Sequence, residues 1–224
     1  MKIISTLAAV MAVATLSAQD APNAQEARLL LFGEFVQPMK YQVATGISDQ
    51  ADGQVGGGLR FMGQVVPSSR WFYELSGRLE SSSNFTNISS VGADLSKVKV
   101  TYSYWSVGGA YLLPLGKAAD LGFHLEARSE NVRVQGSAFY TVGGVTVQDP
   151  ADGGNTFMRP WARVSLDFSI PMESKAFILG ADAGIALLRT YQTDTGMLLS
   201  QMDDRTTRSL APQAAFGVYV GLKF

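Results

Sequence analysis

Phe216-Gly217-Val218-Tyr219-Val220-Gly221-Leu222-Lys223-Phe224 closes the chain, and its two faces differ in kind. Phe216, Val218, Val220, Leu222 and Phe224 form one wholly apolar row. Gly217, Tyr219, Gly221 and Lys223 form a row that is small, polar or mixed. Successive side chains of a strand point to opposite sides, so the segment reads as a two-sided β-strand.

The same period of two recurs upstream. Leu29, Leu31, Gly33 and Phe35 oppose Arg28 and Glu34. Val55, Leu59, Phe61 and Val65 oppose Arg60 and Gln64. Trp71, Tyr73, Leu75 and Leu79 oppose Glu74, Ser76 and Arg78. Val98, Val100, Tyr102 and Tyr104 oppose Lys99, Thr101 and Ser103, although Trp105, Val107, Tyr111 and Leu113 put apolar groups on the other face. Leu121, Phe123, Leu125 and Ala127 oppose His124, Glu126 and Arg128. Met158, Ala162, Val164, Leu166, Phe168 and Ile170 oppose Arg159, Arg163, Ser165 and Asp167. Phe177, Leu179, Ala181, Ala183, Ile185 and Leu187 oppose Gly180, Asp182 and Gly184. With the last segment these make eight strands.

The connections alternate in length. Val66–Ser69, Pro114–Lys117 and Pro171–Ser174 are short turns, and the proline in each suits them because its φ is preset and it gives no ladder donor. Pro38–Gly53, Ser81–Lys97, Val132–Thr156 and Tyr191–Ala211 are long and mostly polar. Within the third, Val132–Gln135 and Val142–Val147 keep a β-rich composition and suggest a protruding hairpin. Asp149-Pro-Ala-Asp152-Gly-Gly reads as a solvated turn, because it lacks the alternating oxygen ligands of a calcium loop.

Composition narrows the class. Hydrophobic residues make up 46% of the 224 positions and charged ones 17%, too apolar for a disordered chain. The formal net charge of -1 offers nucleic acid no basic surface. No cysteine is present, which removes disulfides and thiol chemistry. Lys2, the apolar or small run from Ile3 to Leu16, and Leu16-Ser17-Ala18 match a secretory leader cleaved after Ala18. The expected domains are therefore a signal peptide over 1–18 and one barrel domain over 19–224.

Alternation alone does not say which row looks inward. Three features favour apolar rows turned toward lipid. Trp71, Tyr73, Phe168, Phe177 and Phe224 sit at strand ends on those rows, where interfacial girdles belong. The chain stops directly after its last apolar-faced strand. Short turns and long loops alternate as in bacterial barrels. The expected fold is all-β, an eight-stranded antiparallel up-and-down transmembrane β-barrel, closed because a bilayer leaves no edge unpaired.

The leader, the eight alternating strands and the ending Phe216–Phe224 resemble the small outer-membrane barrels of the OmpX, OmpW and OmpA-barrel type. That resemblance implies a place in the bacterial outer membrane, among its lipid and lipopolysaccharide. It also implies an assembly signal in Phe224 with Val218, Val220 and Leu222, read by the barrel-assembly machinery. A structural or surface-interaction role through the long loops follows, with OmpW-like passage of small solutes as the alternative.

An eight-stranded barrel is just wide enough for side chains to fill. Inward charges must then find partners, because a buried lone charge is costly. An internal ion-pair network among Arg60, Glu74, Arg78, Glu126, Arg128, Arg163, Asp167 and Asp182 is expected. Trp105, Val107, Tyr111, Ile178 and Leu188 are candidates for a partial apolar pocket. The single histidine, His124, is expected to face inward near the short-turn end, with Ser129 on the other face of its strand. A lipid A-modifying triad is therefore disfavoured. Neither a cofactor nor a metal is expected.

Overall fold

The computed structural model describes residues 25–37, 40–44, 47–51, 53–86, 97–173, 175–188 and 210–224. The leader proposed for 1–18 lies outside them, as does most of the long connection 191–211. The chain forms β1 (Ala27–Val36), β2 (Lys40–Ala44), β3 (Ile47–Ala51), β4 (Gln54–Gln64), β5 (Trp71–Thr86), β6 (Lys97–Pro114), β7 (Ala119–Val142), β8 (Val145–Pro171), β9 (Ala176–Ala186) and β10 (Ala214–Lys223).

Eight of these make the barrel. Each of β4, β5, β6, β7, β8, β9 and β10 pairs antiparallel with the next in that order, and β1 joins β4 on one side and β10 on the other. The sheet therefore closes on itself, and every strand of the wall has two neighbours. The closing seam runs from Arg28↔Lys223 to Val36↔Ala215, and Phe224 N–H donates to the Ala27 carbonyl at 2.9 Å. The remaining pair, β2 and β3, forms a hairpin in the first long connection, with β3 touching the end of β5 through Gln50↔Thr86 and Ala51↔Phe85.

The wall is uneven in height. β7 and β8 stay paired from Ala119↔Phe168 to Val142↔Val145, past the rung where β6 begins at Lys97↔Ser137. The stretch Val132–Thr156 is thus strand nearly throughout. Its tip is Gly143-Gly144, with φ of 59° and 82°, the left-handed pair that a two-residue type I′ turn requires. The expected solvated turn at Asp149–Gly154 is corrected here. The segment lies inside β8, and Asp149 is buried.

The rows divide as the polarity of the two faces demands. Leu166, Val218 and Val220 are 37%, 65% and 39% exposed on the outer wall, whereas Arg163 and Asp167 are 3% and 2% exposed inside. On β8 the outward row from Met158 to Ile170 covers about 40 Å of strand. At a barrel tilt of about 40° that is about 30 Å of height, the thickness of a hydrocarbon core. Two outward residues tighten the wall: Tyr73 leans onto Phe61, ring centroids 5.9 Å apart, and covers it.

The fourth strand needs a correction. Val98, Val100, Tyr102 and Tyr104 face inward and are buried, while Lys99 and Trp105 are exposed outside. The apolar row of β6 is internal at its first half and external from Trp105 and Val107 onward. A bulge between Arg78 and Ser81 in the neighbouring β5 accompanies the change.

Candidate functional site

Inside the wall, among the described residues, the arginines Arg28, Arg60, Arg78, Arg128, Arg159 and Arg163 share the lumen with the carboxylates Glu34, Glu74, Glu126, Glu130, Asp167 and Asp182, all buried. They occupy alternate positions of their strands, which is why one period-two pattern sends them all the same way.

The contacts fall into levels along the axis. At the short-turn end Arg28 bonds Glu26 at 2.7 Å, Asp120 at 2.8 Å and Asp167 at 2.7 Å, and Tyr219 donates its hydroxyl to Asp167. One level up, Arg60 meets Glu74 at 3.2 Å and Asp182 at 2.8 Å. Arg163 meets the same Glu74 and, at 3.0 Å, the same Asp182. Glu126 and Glu34 flank Arg128 at 2.7 and 3.5 Å, and Arg78 approaches Glu34 at 3.2 Å. Arg159 bonds Glu130 and the Pro212 carbonyl, and Tyr102 donates to Glu130 at 2.5 Å.

Aromatic faces complete the cages. The Arg128 guanidinium lies 4.0 Å from the Tyr104 ring and 4.1 Å from the Trp161 ring. Arg60 stands over Phe32 and Tyr219 at 5.2 and 5.3 Å. A weakly hydrated planar cation tolerates such sites, because stacking replaces water on both of its faces.

The eight residues named from the sequence, Arg60, Glu74, Arg78, Glu126, Arg128, Arg163, Asp167 and Asp182, all lie inside the wall, but Arg78 pairs with Glu34 and Asp167 with Arg28, neither of them among the eight. Sequence reasoning left out Arg28, Glu34, Glu130 and Arg159. Three of them carried a signal, since Arg28, Glu34 and Arg159 already stood on polar rows. Glu130 stood past the expected end of its strand.

The histidine has partners that spacing did not reveal. His124 Nδ1 lies 2.7 Å from Glu74, and Nε2 lies 2.9 Å from the Ser165 hydroxyl of β8. Ser129 faces the other way. A hydroxyl, an imidazole and a carboxylate are thus in series, the connectivity that activates a nucleophile. Here the carboxylate is shared with two arginines and Ser165 is only 2% exposed, so the series is a link in the charge network. Gly122 leaves the room for it, because a Cβ there would press on Ser165 and His124.

The expected apolar pocket does not form. Trp105, Val107 and Leu188 are exposed, and Tyr111 packs against Trp71 on the outer wall with ring centroids 5.0 Å apart. Ile178 alone of the five is inside. The reason is again parity: odd positions of β6 point outward.

Among solved structures, the chain is similar to Ail, the attachment invasion locus protein of Yersinia pestis, crystallised with the heparin analogue sucrose octasulfate. The two share 13% identity at a TM-score of 0.47, over 89% of this chain and 98% of that one. Neisserial surface protein A follows at 7% identity and a TM-score of 0.39, over 89% and 95%. The N-terminal β-barrel domain of Pseudomonas aeruginosa OprF gives 11% and 0.34, over 89% and 97%. These are small eight-stranded outer-membrane β-barrels. No protein-family model matches the chain, and no curated protein does.

Proposed function

We propose that the chain is an exported barrel of a bacterial outer membrane, held by a packed charged interior and meeting other surfaces through its outer loops and the β7–β8 hairpin. One observation carries the reading: a closed wall whose outside is apolar over about the thickness of a bilayer, and whose inside is charged. A water-soluble barrel would spend its apolar surface inward and its charges outward. This wall does the opposite.

The proposal assigns export to the leader 1–18. It assigns recognition by the barrel-assembly machinery to Phe224 with Val218, Val220 and Leu222. Outer-membrane lipid and lipopolysaccharide are the surroundings of the folded barrel. The interior network Arg60, Glu74, Arg78, Glu126, Arg128, Arg163, Asp167 and Asp182 serves as a scaffold. No catalysis is proposed for it, because the hydroxyl bonded to His124 is covered by the wall.

Membrane fractionation tests the location. The protein is expected in the outer-membrane fraction, with faster gel migration before boiling than after it. Recovery in the soluble fraction without detergent overturns the reading. Planar-bilayer recording tests the scaffold role, where steady ion conductance would argue for a passage instead.

A further inference from the structure

Across β6, β7 and β8 the apolar outer band ends on one rung. Trp105 of β6 stands opposite Ser129 of β7, which stands opposite Met158 of β8, and both Trp105 and Met158 are exposed. The next rung of the same outward rows is Ser103, Asn131 and Thr156, with the Asn131 amide donating to the Thr156 hydroxyl at 3.3 Å. Thr101, Arg133 and Gly154 follow, then Lys99, Gln135 and Asp152, and finally Lys97.

Each rung is about 7 Å of strand and about 5 Å of height in a tilted barrel. Arg133 therefore stands about 10 Å above the apolar edge, Lys99 about 15 Å and Lys97 about 20 Å. All three are exposed. Arg133 approaches Asp152 at 3.8 Å with both groups more than half exposed, a contact too open to occupy either.

Resting on the membrane reading above, we infer that Lys97, Lys99 and Arg133 form an outward-facing site for the phosphates of a sugar-headed anionic lipid in the surrounding leaflet. The rung Ser103, Asn131 and Thr156 meets the sugar hydroxyls. Position selects a lipid over a soluble polyanion. The cations stand on the side wall directly above Trp105, where acyl chains lying on the apolar band deliver their headgroup. The height suits a phosphorylated sugar better than a glycerophospholipid, whose polar zone is only about 5–8 Å deep. Asp152, and Glu80 in the β5 bulge across from Ser103, are the exposed carboxylates beside these rungs among the described residues, and both oppose the site.

The test uses the full folded protein in detergent micelles, titrated with labelled phosphorylated lipopolysaccharide, with phosphatase-treated lipopolysaccharide, and with inorganic phosphate. Each cation neutralised in the series K97Q, K99Q, R133Q is expected to weaken phosphorylated-lipid binding about fivefold. Asp152→Asn is expected to tighten it. Phosphatase-treated lipid is expected to bind wild type and the triple variant alike, and inorganic phosphate is not expected to displace the lipid at equal concentration. Unchanged affinity in the triple variant, or equal binding of the dephosphorylated lipid to wild type, overturns the site. Competition by inorganic phosphate at equal concentration overturns the lipid in favour of a free anion. Insertion into phosphatidylcholine vesicles is scored separately by migration before boiling. Failure there removes the membrane reading, whereas normal insertion without phosphate preference removes this site alone.

Discussion

Arg128 has no water to turn to. It is fully buried, held by Glu126, approached by Glu34, and sandwiched between Tyr104 and Trp161. Removing one member of such a group leaves the others charged and unpaired, which costs about 3–5 kcal/mol. Arg128→Leu is expected to lower unfolding stability by about that amount, read by urea titration of the refolded barrel. Adding Glu126→Leu is expected to restore part of the loss, because the carboxylate left behind goes too. A double variant that loses the sum of the two single effects would show that the pair is not coupled. The inward direction of Arg128 was legible from alternation. Its partners were not. Arg60 sits on the ladder between Leu30 and Ser76, yet it bonds Glu74 and, across the lumen, Asp182. Such pairs depend on stagger and tilt, which no spacing in one strand encodes.

At the level of the strand, glycine and lipid-facing positions make separate claims. A Cβ on Gly58 would press into the Gly77 carbonyl oxygen of β5, whereas one on Gly33 meets open space. Gly58→Ala is expected to destabilise the barrel markedly and Gly33→Ala hardly at all, measured in parallel urea titrations. Equal effects would mean that the strands β4 and β5 can move apart. Leu125 is 60% exposed in mid-band, so Leu125→Arg is expected to cost about 2–4 kcal/mol in a bilayer. In a chain whose outer wall met water the same change would be nearly silent. Strand existence was readable from period two, and the short turns from proline and length. The orientation of β6 was not. Above Trp105 the outer wall leaves the apolar band, so Lys99 turns outward while Val98, Val100, Tyr102 and Tyr104 fill the mouth. A single apolar row therefore changes meaning along one strand, and hydrophobicity alone misplaces it. The length of β7 and β8 was hidden by Gly136, Gly143, Gly144, Gly153, Gly154 and Pro150, residues that ordinarily mark a loop.

The whole molecule is a ring of antiparallel ladders with one long-range seam, β1 against β10. Closing it requires residues separated by nearly the full chain, so folding is expected to be slow and cooperative. Deleting Phe224 removes the two backbone bonds it shares with Ala27 and the ring beneath Lys175. The truncated chain is expected to reach the boiled-type gel position in a larger fraction than wild type after equal refolding times. Unaltered yield in cells and in vesicles would separate this residue from any role in assembly.

The three tryptophans occupy three settings: Trp71 and Trp105 protrude from opposite ends of the outer band, and Trp161 is sealed within beside two guanidinium groups. A fluorophore is thereby installed at each edge of the greasy belt, with a third as an internal blank. Brominated acyl chains labelled at graded depths should dim the first two in turn and leave the third bright. Single-tryptophan versions would convert that contrast into a readout of how deeply the cylinder sits.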